Sequence, residues 1–198
     1  MPNWSDTTYK CVGDPKEVRS LYKVIQRNAK RKRPRVKNGF GTLWLGCIID
    51  ALGGDWEKYR CRGEITDFSL EKDASMLTIY QNTAWCEQEG FRQFIEEKFP
   101  SIKVYWQDQE PGCDVFVTNS FEYFLDRYFL NSDEEWEYFE TIDDAAKLVR
   151  GIVGHEVELS VQAIQEALDE YVESQDDDDM FYSLHEFRLV EGGVANED

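Results

Sequence analysis

Apolar and polar positions along this chain change period several times, and the changes mark its elements. Residues 7–12 (Thr-Thr-Tyr-Lys-Cys-Val) are β-branched and aromatic and stop at Gly13, which predicts a strand. Val18, Leu21, Tyr22 and Ile25 then recur at helical spacing, so a helix with one buried stripe follows. Its start is marked by Asp14 as a cap, Pro15 at the first helical position and Glu17 placed to bond back. Pro34 ends any helix, and Asn38-Gly39 with Gly41 forms a turn. Residues 42–52 form a short apolar run, either a buried helix or an irregular core segment.

From Glu64 the period becomes two. Ile65, Asp67 and Ser69 alternate with Thr66, Phe68 and Leu70, and Leu77 and Ile79 alternate with Thr78 and Tyr80. This predicts an antiparallel hairpin of 64–70 and 76–81, turning at 72–75. A second helix covers about 87–99, with Phe91, Phe94, Ile95 and Phe99 on one stripe and Pro100 as its stop. Ile102–Trp106 is the next strand, Glu110-Pro111-Gly112 a turn, and Val115–Thr118 a further short strand.

The order β-α-β-β-α-β plus one strand predicts an α+β chain. Its first part, residues 1–118, is a ferredoxin-like split βαβ domain: an antiparallel sheet with both helices on one face. The other face must then be covered, or bind something. Residues 119–198 form an α+β C-terminal extension, packed on the first domain or standing as a small subdomain. Its strand candidates are 121–130, 136–141 and 181–190. A short helix covers 143–150, and a second, capped by Ser160, carries Val161, Ile164, Leu168 and Tyr171 at helical spacing. No internal repeat aligns residue by residue.

Composition adds to this picture. With 41% hydrophobic and 14% aromatic residues over 198 positions, most of the chain should fold. No apolar run reaches the ~18 residues of a membrane span, and the start Met1-Pro2-Asn3-Trp4-Ser5-Asp6 lacks the pattern of a signal peptide. A cytoplasmic location is therefore expected. In that compartment Cys11, Cys47, Cys61, Cys86 and Cys113 stay reduced and act as packing residues.

Charge is unevenly placed. The chain carries −18, but residues 1–63 hold 14 basic against 6 acidic residues and residues 64–198 hold 8 against 34. Such a split suggests two faces with different partners, or a basic segment docked on acidic surface.

The Met1-Pro2-Asn3-Trp4 start, the following strand and Gly13 resemble the opening of the YubB-like proteins of phages, plasmids and bacterial mobile elements. Trp85 before the second helix and Glu110-Pro111-Gly112 after the fourth strand match the same pattern. Ser5, Thr7 and Cys86-Glu87-Gln88 stand where the family has Cys, Asn and Ser-Pro-Pro. The resemblance covers about residues 1–118. It implies a ferredoxin-like domain without an iron–sulfur cluster, and it carries over no functional residue.

Candidate chemistry is sparse. No cysteine pair has cluster spacing. His155-Glu156 and His185-Glu186 do not continue as His-Glu-x-x-His, so they read as a solvated loop residue and a partly buried strand residue. Neither Asp133-Glu134-Glu135 nor Asp176–Asp179 has the alternation of a calcium loop. Gly53-Gly54 is not a phosphate-binding loop, and no nucleophile signature is present. No catalytic residue, metal ligand or cofactor is therefore named, although a scattered active site of unrecognised type leaves no such trace.

Two segments stand out. Lys30, Arg31, Lys32, Arg33, Arg35 and Lys37 fill six of eight positions, a pattern suited to phosphate backbones or to a solvated loop. Asp133, Glu134 and Glu135 adjoin Trp136, with Tyr138 and Phe139 following, a pattern suited to a protein partner. The reading that follows is a non-catalytic protein-interaction module. It presents acidic surface to a partner with a basic surface and resembles mobile-element proteins. The alternatives are a nucleic-acid-binding protein using the basic segment, and an enzyme.

Overall fold

Alternation along the first strand sets the architecture of the first half. The structure, a computed structural model, describes residues 3–59, 61–133, 136–175 and 179–190. They divide into two compact units, one from residues up to Val115 together with Val190 and one from Phe116 to Leu189. The chain is a mixed α+β protein with a multistranded antiparallel sheet and, among the described residues, five α-helices.

In the first unit β1 (Trp4–Val12) buries Ser5, Thr7, Tyr9 and Cys11 and turns the intervening residues outward. It pairs antiparallel with β3 (Met76–Ala84) on one side and β4 (Lys103–Glu110) on the other. β2 (Gly63–Leu70) pairs antiparallel with β3, giving the order β2-β3-β1-β4. Tyr9, Cys11, Leu77, Ile79, Val104 and Trp106 are buried on the face that meets the helices. There α1 (Pro15–Ala29) contributes Val18, Leu21 and Ile25, and α3 (Glu89–Lys98) contributes Phe91, Phe94 and Ile95. Phe91 stacks on Tyr9 at 6.2 Å and Tyr22 meets Phe68 edge-on at 5.6 Å, so both helices cover the same face. Residues 42–52 resolve into α2 (Leu45–Ala51), whose Leu45, Cys47, Ile48 and Ile49 are all buried.

In the second unit β6 (Tyr128–Ser132) lies between β7 (Trp136–Phe139) and β8 (Tyr182–Glu186), antiparallel to both. Two residues of β5 (Val115–Thr118) pair in parallel with β9 (Arg188–Leu189). Leu130 and Leu184 pack against Ala145, Ala146 and Val149 of α4 (Ile142–Val153) and Ile164 and Leu168 of α5 (Val161–Ser174). Phe129, on the other side of β6, joins Phe116 and Phe187. Thr141 and Ser160 cap the two helices through Asp144 N and Ala163 N. Gly154, at φ +80°, ends α4 in the left-handed conformation that glycine adopts without steric cost.

Several expectations are corrected. The alternation expected in β2 breaks at a bulge between Ile65 and Asp67, which places Ile65 and Phe68, not Ile65 and Asp67, on the covered side. Residues 121–127 are not strand, because Phe124 N turns back to Ser120 O and β6 starts at Tyr128. The last strand, expected over 181–190, is two pieces interrupted at buried Phe187. Glu17 does not bond back to its own helix start; its Oε2 accepts from Ser101 N and Oγ instead. Only three cysteines are buried: Cys86 is half-buried and Cys113 exposed, since Cys113 closes the Pro111–Cys113 turn. The expected tail, 191–198, lies outside the described residues, as do Met1 and Pro2. No helix among the described residues is long and apolar enough to cross a membrane.

Candidate functional site

The basic segment begins where α1 runs out. Lys30 is the C-cap, and Arg31 N still reaches Asn28 O at 3.0 Å. Proline at 34 has no N–H with which to continue a helix. The far end of the loop is pinned by Asn38. Its Oδ1 accepts from Phe40 N and Gly41 N at 2.7 Å each, and its Nδ2 donates to Val36 O at 2.8 Å. Midway, Arg35 Nε donates to Asp50 Oδ2 of α2 at 2.6 Å. The loop is thus held open across the end of α1.

The resulting cleft has a volume of about 170 Å³ and is lined by Val24, Arg27, Asn28, Arg31, Arg35 and Ala51. Arg27 and Arg31 have no ion-pair partner among the described residues. Asn28 is 3% exposed. Its Nδ2 donates to Val24 O at 2.9 Å, and its Oδ1 has no hydrogen-bond partner among the described residues. Carbonyls at a helix C-terminus carry partial negative charge, which opposes an anion there, but by only about half a charge against three arginines, one of them paired with Asp50. Of the basic residues singled out from sequence, the cleft therefore takes Arg31 and Arg35. Lys30, Lys32, Arg33 and Lys37 are exposed and do not line it. Arg27 and Asn28 were missed, since neither belongs to the basic run. Their signal was positional: they lie one helical turn before Arg31.

The acidic candidate lies in the second unit. Asp133 is exposed just beyond β6, whereas Glu134 and Glu135 lie outside the described residues. β7 ends the order β7-β6-β8. Alternation along it points Trp136 and Tyr138 to one side, 53% and 38% exposed, and turns Phe139 into the helix-facing core. Trp136 meets Phe129 edge-on at 5.6 Å and Tyr138 lies 4.9 Å from the same ring, so both side chains are braced from beneath. Of the acidic runs, Asp176–Asp178 likewise fall outside the described residues. The second unit, residues 116–189, holds 20 acidic residues against 4 basic, a net −16. Residues 1–115 and 190–198 hold 20 against 18, a net −2.

A third cluster was not foreseen. Tyr9 Oη donates to Glu87 Oε1, which also accepts from Arg92 Nε at 3.0 Å. Asp108 Oδ1 accepts from Ser5 Oγ at 2.7 Å and Thr7 Oγ1 at 2.5 Å, and its Oδ2 accepts from Glu87 N at 2.9 Å. Burial pushes Glu87 up to about 7, against the pull of Arg92 and Tyr9. Burial likewise pushes Asp108 up to about 6, against its hydroxyl donors. Both side chains are buried, so this cluster ties β1, β4 and the start of α3 together as core polar groups. Its signal was the inward phase of Ser5 and Thr7 on β1. Nearby, Trp85 N bonds Asn3 O at 2.9 Å with Trp85 at φ 76°, and Asn3 Nδ2 contacts Cys113 Sγ. Asn3, Trp85 and the Glu110–Cys113 turn thus meet in one place.

No group of three His, Cys, Asp or Glu among the described residues is placed to hold a metal ion. No protein-family model, curated protein or solved structure matches the chain.

Proposed function

We propose that the protein is a non-catalytic interaction module whose second unit presents acidic surface to a protein partner with a basic surface. The observation that carries this reading is the charge partition: 116–189 hold −16 of the −18 and expose Trp136 and Tyr138 beside Asp133. Buried aromatic anchors ringed by complementary charge are what give such contacts affinity and on-rate. The structural part of the reading is that the first unit is ferredoxin-like, which its β2-β3-β1-β4 order and two helices on one face support. Kinship with the YubB-like proteins of mobile elements is supported by the meeting of Asn3, Trp85 and the Glu110–Gly112 turn. A cytoplasmic setting goes with this proposal, since reduced thiols such as that of exposed Cys113 suit that compartment.

The test starts from a partner isolated from the native host with the full chain as bait. Its association is then measured for Trp136→Ala and for a variant with Asp133, Glu134 and Glu135 changed to Asn and Gln. A basic partner is expected, with association slowed by both variants and by salt, as screening shortens from ~10 Å at 0.1 M to ~3 Å at 1 M. An acidic partner, or binding indifferent to both variants, defeats the reading. The second reading is nucleic-acid binding through Lys30–Lys37, which the arginine-lined cleft favours. It predicts that changing Lys30–Arg33 to Ala abolishes binding of nucleic acid while the acidic changes strengthen it.

A further inference from the structure

We infer that the cleft between the last turn of α1 and the 31–35 loop is a binding site for a phosphate group. The inference concerns the first unit and does not rest on the acidic-surface reading. Three arginines line one small cavity. Planar guanidinium groups recognise phosphate oxygens in pairs, with more geometric specificity than ammonium groups. Two of the three, Arg27 and Arg31, have no carboxylate among the described residues to neutralise them. The third bonds Asp50 through Nε only, which fixes its plane beside the cleft.

A structural role explains Arg35, which ties the loop to α2, and in part Arg31, whose Nε donates to Arg33 O at 3.2 Å. It does not explain why Arg27 stands beside them, since like charges brought together repel, weakly in water and more strongly where solvent is excluded. Size narrows the ligand. A cavity of about 170 Å³ is smaller than the ~300–1,000 Å³ of sites that enclose a whole drug-sized ligand, so it takes a charged head group. Asn28 adds no carboxylate to the lining: it is a buried, neutral side chain whose Nδ2 donates to Val24 O at 2.9 Å. The phosphate can belong to a terminal monoester or to a nucleic-acid backbone, and the two are separable.

The experiment uses the full chain at low salt, titrated by calorimetry with three probes. These are inorganic phosphate, a 12-nucleotide single strand bearing a 5′-phosphate, and the same strand without it. Each is repeated with Arg27→Gln/Arg31→Gln, whose changes are on exposed side chains, and the fold of that variant is verified by circular dichroism. Saturable binding that weakens about tenfold or more in the double variant is expected, since one lost charge-assisted bond already costs about that factor. Preference for the 5′-phosphorylated strand and for free phosphate assigns a monoester site. Equal binding of both strands assigns a backbone site, and both results uphold the inference. Absence of saturable binding with all three probes, or affinity unchanged in the double variant, overturns it.

Discussion

The buried Glu87 should make the first unit less stable as the solution passes from pH 6 to pH 7. In the unfolded chain this carboxyl titrates at its ordinary 4.5, whereas burial in the fold pushes it up to about 7. The folded state therefore holds an extra proton between those values, and stability present at low pH is lost as pH rises through 7. Titrating at about 7 in the fold instead of 4.5 corresponds to about 3 kcal/mol over the whole window. Asp108 behaves the same way, but its window ends near 6. Above pH 6 Glu87 is thus the dominant contributor within the cluster, losing about 1 kcal/mol between pH 6 and pH 7. The perturbation is Glu87→Gln, which keeps an acceptor for Tyr9 Oη and Arg92 Nε but cannot ionise. The assay is urea denaturation followed by tryptophan fluorescence at several pH values. It reports mainly on the first unit, since five of the six tryptophans precede Phe116. Wild type should lose about 1 kcal/mol more than the variant over that pH unit. Groups outside the cluster cancel in the comparison. Parallel stability curves for the two proteins would refute the argument that Glu87 is protonated in the fold.

Other consequences follow from packing and exposure. A Cβ at Gly13 would stand 2.6 Å from Ser101 O and 2.9 Å from Ile102 Cα, both backbone atoms, so Gly13→Ala should lower stability by about 1–3 kcal/mol in the same fluorescence assay. Leu168→Ala removes a fully buried side chain from the α4–α5 core and should cost about 2–5 kcal/mol, read by thermal unfolding in circular dichroism; a loss under 1 kcal/mol would show that the core collapses around the gap. Maleimide at pH 8 should label Cys113 first and Cys86 next. Cys61, pushed up to about 12 by burial, and Cys11, raised further for the same reason, should resist until urea is added. Peptide mapping that finds Cys11 labelled alongside Cys113 would contradict the burial.

Elements whose period runs unbroken were legible in the sequence. Val18, Leu21 and Ile25 of the expected stripe and the pair Leu77, Ile79 are buried as their spacing requires, while Tyr22 is only half-buried, against Phe68. What the pattern could not carry was local departure from period. At Ile65/Asp67 one extra residue enters the strand and reverses the phase of every side chain after it, and no glycine or proline announces the change. Residues 121–127 are as aromatic as a strand, yet Phe121 lies under the Arg127 guanidinium at 3.8 Å, and Arg127 N bonds Phe139 O. Aromatic content there serves a packed turn instead of a ladder. The polar cluster was invisible for a related reason. Ser5, Thr7 and Asp108 are inward-facing, but a binary pattern assigns polar residues to solvent unless their partners are known, and those partners are over 70 residues away.

The charge map shows most clearly what chain position conceals. Divided by position, residues 64–198 hold −26, which sets any basic segment against an overwhelming acidic remainder. Divided by compact unit, the opposition changes. β2, β3, α3 and β4 bring their own carboxylates into the first unit, where 20 acidic residues nearly cancel 18 basic ones. A ligand at the Arg27–Arg31–Arg35 cleft therefore meets a unit of almost no net charge, and local arginines decide what it attracts. The second unit, at −16 over 74 residues, owes its charge to residues distributed over loops and helix faces. Its attraction for a basic partner should accordingly weaken by degrees as single carboxylates are removed. Binding at the cleft should instead fall sharply with Arg27 and Arg31. Graded loss in one case and abrupt loss in the other is the pattern that separates a diffuse electrostatic surface from a built anion site.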